Sequence, residues 1–434
     1  MTDKQNHDTA DSYSMARTVE ADFPEHSLRP PHAEMALQGI RILDFTHFIA
    51  GPFATMILAD MGADVIKVES PGKGDDFRQY PPMEPELEGG PPFLWCNRNK
   101  RSITIDLKSA QGREIALDLA SKADVIVENF STGVMKRLGL DYATCRERNP
   151  GVIFCSVSAY GREGAYADRL GFDPVAQAES GFVSMNGYPD REGVRALSPV
   201  MDISTAMMAC NAILGALMAR TRTGRGQFVE VSLFDNAVLM TGYATLQHLF
   251  KGVNPERPGN TSPDTCPSGV FKASDRSFII NCGSTQIFHR LMKQVVNLPD
   301  AAENPAYATN KDRLASKDEI FALLQEAFSQ QSWEYWKTRL REASVPSGEL
   351  RTVGEAIRSP EARERKIVTR IPHPTLGWVP NVALPIRYSD TPLADPSFSP
   401  CVGEHTEEVL ADWLGLEVEN TGTLKRGKSF GTVQ

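Results

Sequence analysis

The feature that most limits how this chain can fold is the alternation of strand-like and helix-like segments through its first half, joined by short connections. GIRILDFTHFIAGPFATMILADMGADVIKVE reads as a strand at residues 40–45, a turn at Gly51 and Pro52, a helix ending near Gly62, and a strand at 65–68. Two strands joined through a helix run parallel in one sheet. RSITIDL, AQGREIALDLASKA, DVIVENF, MKRLGLDYATCRERN and GVIFCSVSAYG continue the pattern, so the expected fold is α/β, a doubly wound parallel sheet. Such sheets bind ligands at the carboxyl ends of their strands. Those ends carry HFIAGP, ESPGKGDD, ENFSTG and SAYG, and these loops should line one site.

The stretch SPVMDISTAMMACNAILGALMARTRTGRGQFVEVSLFDNA reads as loop, apolar helix, tight turn and strand. Ile203, Met207, Ile213, Leu214 and Leu217 recur at helical spacing, and Asp202 stands at the helix head. There it would cap the helix, and the positive end of the dipole would keep its carboxylate ionised at neutral pH. DNAVLMTGYATLQHLF is expected to form a second helix, and residues 254–269, rich in Gly and Pro, a linker. GVFKASDRSFIINCG reads as a hairpin turning at Asp275 and Arg276, followed by helices near 286–296, 317–328 and 333–342. From Pro372 the chain looks extended until the helix of GEHTEEVLADWLG. The expected division is a flexible extension at 1–34, a large ligand-binding domain at 35–253, a linker and smaller α+β domain at 254–371, and a return segment at 372–434 whose helix packs on the large domain.

Several functional classes lose support at once. A net charge of -9 disfavours general nucleic-acid binding. No apolar run reads as long enough to cross a bilayer, and the polar, acidic start resembles neither a signal nor a transit peptide, so a cytoplasmic protein is expected. The seven cysteines form no C-x-x-C pair and the histidines no H-E-x-x-H, which gives no metal site. The first βα turn lacks G-x-G-x-x-G, so NAD or flavin binding has no motif. Against the acidic background, Arg98, Lys100, Arg101 and Lys108 cluster where a ligand with several phosphates could bind. Lys136, Arg137, Arg146 and Arg148 suit a solvated helix face equally well. His47, after a strand, is a candidate substrate contact.

Taken in order, GIRILDFTHFIAGPFAT, GADVIKVE, NRNKRSITIDLK, ADVIVENF, MKRLGL, GFDPVAQAESG, VMDISTAM and TGRGQ resemble the family III CoA-transferases, the CaiB/BaiF family, over about residues 39–415. The resemblance implies a nucleophilic aspartate at Asp202 of DISTA. It places CoA contacts on Ile49, Ala50, Ile105, Lys108, Asn129, Phe130, Ser131 and Arg137, with Phe172 and Asp173 where others lie. It also implies an interlocked homodimer, with CoA thioesters and small carboxylic acids as substrates and no metal, NAD or flavin. The formyl-CoA:oxalate branch has Gln where Ile49 stands and a glycine run where GNTSPDTCPSG stands, which argues against oxalate as acceptor. The related racemases carry a proton-transferring His at the position of Phe172.

A carboxylate nucleophile suits this chemistry, because it needs no general base to attack a thioester. Attack by Asp202 would give a mixed anhydride, returning thiolate an aspartyl-CoA thioester, and an acceptor acid would reverse both steps. Backbone N–H groups of HFIAGP are candidate oxyanion donors. The competing readings are an isomerase using Asp202 or Asp173 as base on an α-proton, and a non-catalytic acyl-CoA sensor.

Overall fold

The computed structural model describes residues 23–81 and 87–416; most of the expected N-terminal extension and the tail after 416 lie outside it. The chain forms two compact units. Among the described residues, one takes those up to Ser180, Leu197–Met240 and those from Ile357 on; the other takes Gly181–Ala196 and Thr241–Ala356. The division therefore falls at Met240 and Ala356, and not at 253 and 371. The second helix expected after Asp202 is broken at Gly242, whose φ of 63° suits glycine alone, into Leu233–Leu239 and Tyr243–Lys251.

The first unit is built on six strands: β1 (Arg41–Asp44), β2 (Asp64–Glu69), β3 (Lys100–Thr104), β4 (Val125–Glu128), β5 (Ile153–Ser158) and β6 (Phe228–Ser232). They pair in the order β3-β2-β1-β4-β5-β6, every pair parallel. The order reverses between β1 and β4, which opens a crevice at their carboxyl ends. The central strands β1, β4 and β5 are buried on both faces, which is why they read as short, largely apolar runs, whereas the edge strand β6 keeps Phe228 and Glu230 exposed. Ile42, Val65, Val125, Ile153 and Cys155 enter one cluster with the helices Ala50–Asp60 and Val200–Thr223. Their neighbours Leu43, Ile66, Ile126 and Phe154 enter the other, with the helices Ala110–Lys122 and Thr406–Leu414.

The helix Val200–Thr223 starts after Pro199 and stops at Gly224, where φ is 65°. At 24 residues it is long and, by composition, apolar enough to cross a membrane, which the sequence reading did not anticipate. Part of that apolarity belongs to the core: Ala206, Ala209, Cys210, Ile213, Ala216 and Leu217 pack on the sheet. Met207, expected in the core, is instead 48% exposed, and Met208 and Met218 are exposed beside it.

In the second unit, β7 (Ser268–Lys272) and β8 (Ser277–Asn281) form the expected hairpin. A third strand, β9 (Ser347–Glu349), joins β8 with only three residues, too short to leave a sequence period. Phe271, Phe278, Phe328, Trp333 and Trp336 centre its core, with the helices Lys317–Phe328 and Trp333–Glu342.

Back in the first unit, residues read as wholly extended form an antiparallel hairpin of β10 (Val368–His373) and β11 (Gly377–Val382). Pro372 and Pro380, which usually mark non-strand or edge positions, hid it. The segment after it runs back over the first unit, where Ser399 Oγ donates to the Leu94 carbonyl and Arg78 to that of Pro400. It ends in the helix Thr406–Leu414, whose Val409, Leu410 and Trp413 are buried.

Candidate active site

At the crevice lies a cavity of about 410 Å³. The loop after β1 supplies His47, Phe48, Ile49 and Ala50; the loop after β4 supplies Asn129, Phe130, Ser131 and Thr132; the segment after β5 supplies Ser158, Ala159, Arg162, Arg169 and Phe172. Asp76, beyond β2, and Asp202 complete the relevant wall. The four strand-end loops therefore meet in one place.

Asp202 lies in the first turn of its helix but does not cap it. The N-cap is Pro199, which has no side-chain acceptor. Asp173 fills that role from another element: its buried carboxylate accepts from Met201 N at 2.7 Å, Asp202 N at 3.3 Å and Gln177 Nε2 at 2.5 Å. The amides that would have stabilised an Asp202 anion are thus already engaged. The Asp202 carboxylate accepts no hydrogen bond from the described residues. Its partial burial, and then the negative charge of Asp173, push its pKa from 3.8 up to about 7. The expectation of a fully ionised carboxylate is corrected by burial and, second, by this like-charged neighbour.

Opposite stands the loop Thr46–Gly51, held from beneath by buried ions. Lys67 Nζ donates to the Thr46 carbonyl at 2.8 Å and pairs with Asp75 at 2.9 Å, and both side chains are 0% exposed. Lys100 Nζ donates to the Pro52 carbonyl at 2.8 Å and pairs with Asp44 at 3.0 Å. Burial alone would drive these groups to their neutral forms, but Asp44 is drawn down to about 2 by Lys100 and Lys67, and the Asp75 carboxyl far below its usual range by Lys67 and His47, while burial still leaves Lys100 below its ordinary value. Both ends of the loop are therefore clamped through their carbonyls. Between them Phe48 takes φ 62°, an uncommon value for a bulky residue. Gly51 has no alternative, since a Cβ there would lie 2.4 Å from that of Thr46. The amides of Ile49 and Ala50, at the start of the helix Ala50–Asp60, face no acceptor among the described residues.

His47 exchanges backbone–side-chain bonds with Asn129, 2.8 Å each way, and its Nδ1 lies 3.6 Å from Asp75. Arg162 joins three segments, donating to Glu128, Ser156 Oγ and the carbonyls of Phe130 and Val157. Sequence reasoning missed Arg162, Lys67 and Asp75, because nothing local marks a buried ion.

The remaining predicted contacts divide. Ile49, Ala50, Asn129, Phe130, Ser131, His47 and Phe172 share the cavity with Asp202. Lys108 and Arg137 are exposed and stand outside its lining. Ile105 is buried in the cluster on the far sheet face, and the Asp173 side chain serves the helix. The suggested phosphate patch dissolves: Arg98 is bound to Asp60, Lys100 to Asp44, and Arg101 to Asp64, Glu408 and Asp412. Only Lys108 of that group is exposed and without an ion pair among the described residues.

The CoA-transferase family III model matches residues 37–406. The human succinyl-CoA:glutarate CoA-transferase is 32% identical over 396 residues, covering 89% of this chain and 88% of that protein. The acetyl-CoA:oxalate CoA-transferase of Acetobacter aceti is 37% identical over 345 residues, covering 79% and 87%. A crystal structure of a CaiB/BaiF family protein from Brucella suis superposes with a TM-score of 0.78 at 34% identity, covering 88% of this chain and 100% of that one.

Proposed function

Because this chain belongs to the family III CoA-transferases and is an enzyme that transfers CoA between acids, we propose that Asp202 is its nucleophile and that its donor and acceptor are small dicarboxylic acids. The observation that carries this reading is the free Asp202 carboxylate on the wall of a cavity at the sheet's crevice. The relatives named for glutarate and oxalate support the substrate class. Because Ile49 and GNTSPDTCPSG depart from the oxalate branch, an acid of glutarate's length is favoured.

In the first step a carboxylate oxygen of Asp202 attacks the thioester carbonyl of the donor. The C–S bond breaks, CoA leaves as thiolate, and a mixed anhydride remains on Asp202. Thiolate then attacks the aspartyl carbonyl, releasing the donor acid as carboxylate and leaving an aspartyl-CoA thioester. The acceptor carboxylate attacks that thioester, and the expelled thiolate attacks the acceptor's carbonyl in the new anhydride. This yields acceptor-CoA and free Asp202. The amides of Ile49 and Ala50, pre-aimed by the clamped loop, receive the oxyanions, a contribution of roughly 3 to 4 kcal/mol per donor in other enzymes. A raised pKa also makes Asp202 a more basic and stronger nucleophile once ionised. The reacting end of CoA lies along Ile49, Ala50, Asn129, Phe130, Ser131 and Phe172, and its phosphates reach Lys108 and Arg137 at the surface.

The assembly belongs to the same proposal. Met207, Met208 and Met218 leave an apolar stripe on the catalytic helix, and Leu239 and Met240 are exposed after it. A second copy of the chain, interlocked with the first, would cover them.

Transfer from succinyl-CoA to a panel of acids, followed by mass detection of the new thioester, tests the reading. Asp202→Ala should lose at least about a thousandfold in rate while still binding CoA, as expected when a covalent step is removed. Retention of more than about a tenth of the activity would exclude the nucleophile.

A further inference from the structure

Of the charged side chains on the cavity wall, Arg169 stands apart. Arg162 is saturated by its five partners, Asp76 is paired with Lys73, and His47 sits beside Asp75. Arg169 uses one nitrogen only: Nη2 is bound to Glu179, and the guanidinium lies 4.7 Å above the ring of Tyr160. Tyr160 in turn donates its hydroxyl to the other oxygen of Glu179 at 2.7 Å. This triad fixes the guanidinium plane, while Nε and Nη1 have no partner among the described residues. Glu179 ends the short helix Asp173–Glu179, whose first residue caps the helix of Asp202. One element thus sets both the nucleophile and the arginine.

The cavity also carries Asp168 and Asp202, so an acid with two negative charges would be repelled from it unless a cation answered the second. We infer that the unpartnered Nη1 end of the Arg169 guanidinium binds the distal carboxylate of the dicarboxylic acid whose near carboxylate meets Asp202. The inference rests on the dicarboxylate reading above. A planar guanidinium held by its neighbours fixes the direction of its Nη1 donors toward a carboxylate, which a flexible ammonium does not. Selection of glutarate over a monocarboxylic acid of equal length then comes from this side chain, because a site built for a carboxylate leaves its donors unpaired against a methyl group.

The test uses the purified full-length enzyme with succinyl-CoA as donor and either glutarate or valerate as acceptor, read as kcat/KM for the acceptor. In a double-displacement reaction that ratio reports only the second half, so an effect on the donor cancels. The wild type should prefer glutarate by roughly a hundredfold or more. Arg169→Gln should reduce that preference to below about tenfold, mainly through the KM for glutarate, with valerate unaffected, and Arg169→Lys should fall between. Thermal melting of each variant establishes that it is folded. A wild type without preference would overturn the dicarboxylate reading itself. Preference retained in Arg169→Gln would overturn the role of Arg169 alone. Equal loss for both acceptors, with a raised KM for succinyl-CoA, would assign Arg169 to a CoA phosphate and overturn it too.

Discussion

Two walls of the same cavity are built in opposite ways. The loop Thr46–Gly51 rests on fully buried Lys67, Asp75, Lys100 and Asp44, and its ends are clamped through the carbonyls of Thr46 and Pro52. Beyond the anchor of Arg162, the stretch from Tyr166 to Gly171 carries Tyr166, Leu170 and Arg169 on the outside, held by the surface pair of Arg169 with Glu179 and by the bond from Thr132 Oγ1 to the Ala167 carbonyl. Chemistry that needs donors fixed to a fraction of an ångström is served by the first construction. Selection among acids, which can change without disturbing the core, is served by the second. Removing a buried clamp should therefore damage rate and fold together, and changing the outer segment should alter preference alone.

The largest effect is expected at the inner wall. Lys67→Met leaves Asp75 buried without its cation, and breaking such a pair typically costs about 3 to 5 kcal/mol. The variant should melt far below the wild type, and whatever folds should show a kcat reduced for glutarate and valerate alike. A Lys67→Met enzyme with normal kcat and altered acid preference would invert the assignment of the two walls.

A smaller effect, sharper in sign, comes from Asp202. Its pKa is raised to about 7 and the nucleophile must be ionised. The kcat/KM for the acyl-CoA donor should therefore fall about tenfold per pH unit below about pH 7 and level off above it. Replacing Asp173 by Asn, which removes the like charge but keeps an acceptor for the helix amides, should move that bend to lower pH. A profile flat from pH 5 to 8 would mean that neither burial nor Asp173 holds the Asp202 carboxyl above its usual range.

Smallest is the effect on stability. An acid whose folded pKa lies above its unfolded value stabilises the protein below the unfolded pKa, and that contribution disappears as pH rises through the folded value. For Asp202 the window runs from 3.8 to about 7. Asp202→Asn should therefore melt above the wild type by an increment that grows across this window and reaches about 1 to 3 °C at pH 8, small because the carboxyl is partly exposed. A lower melting point at pH 8 would mean that the carboxylate holds the fold together.

The same contrast governs what could be read from the chain. The central strands announced themselves, because strands buried on both faces need apolar runs, and Ile42 next to Leu43 or Val125 next to Ile126 supplies both sides; β6 showed instead by its alternation. Asp202 stood out by its motif. Its environment did not, since Asp173 reaches it from 29 positions away in sequence. The basic cluster from Arg98 to Lys108 misled for a related reason: a charge bound for the interior has the same letter as one bound for a ligand. Lys100 is identified as structural only by Asp44, 56 positions before it. Arg169 could not be told from any surface arginine until Tyr160 and Glu179 were seen to hold it.

The central claim is that Asp202 becomes covalently acylated. Incubating the enzyme with succinyl-CoA and hydroxylamine in deuterated water, then mapping modified peptides by mass spectrometry and recovering the thioester, addresses it directly. An aspartyl anhydride or thioester is open to hydroxylamine, so a hydroxamate should appear at Asp202 and not in Asp202→Ala. The α-carbon of the thioester should stay undeuterated, because Phe172 offers no group for proton exchange. Rapid α-deuteration with an unmodified Asp202 peptide would contradict the claim and mark the enzyme as an isomerase.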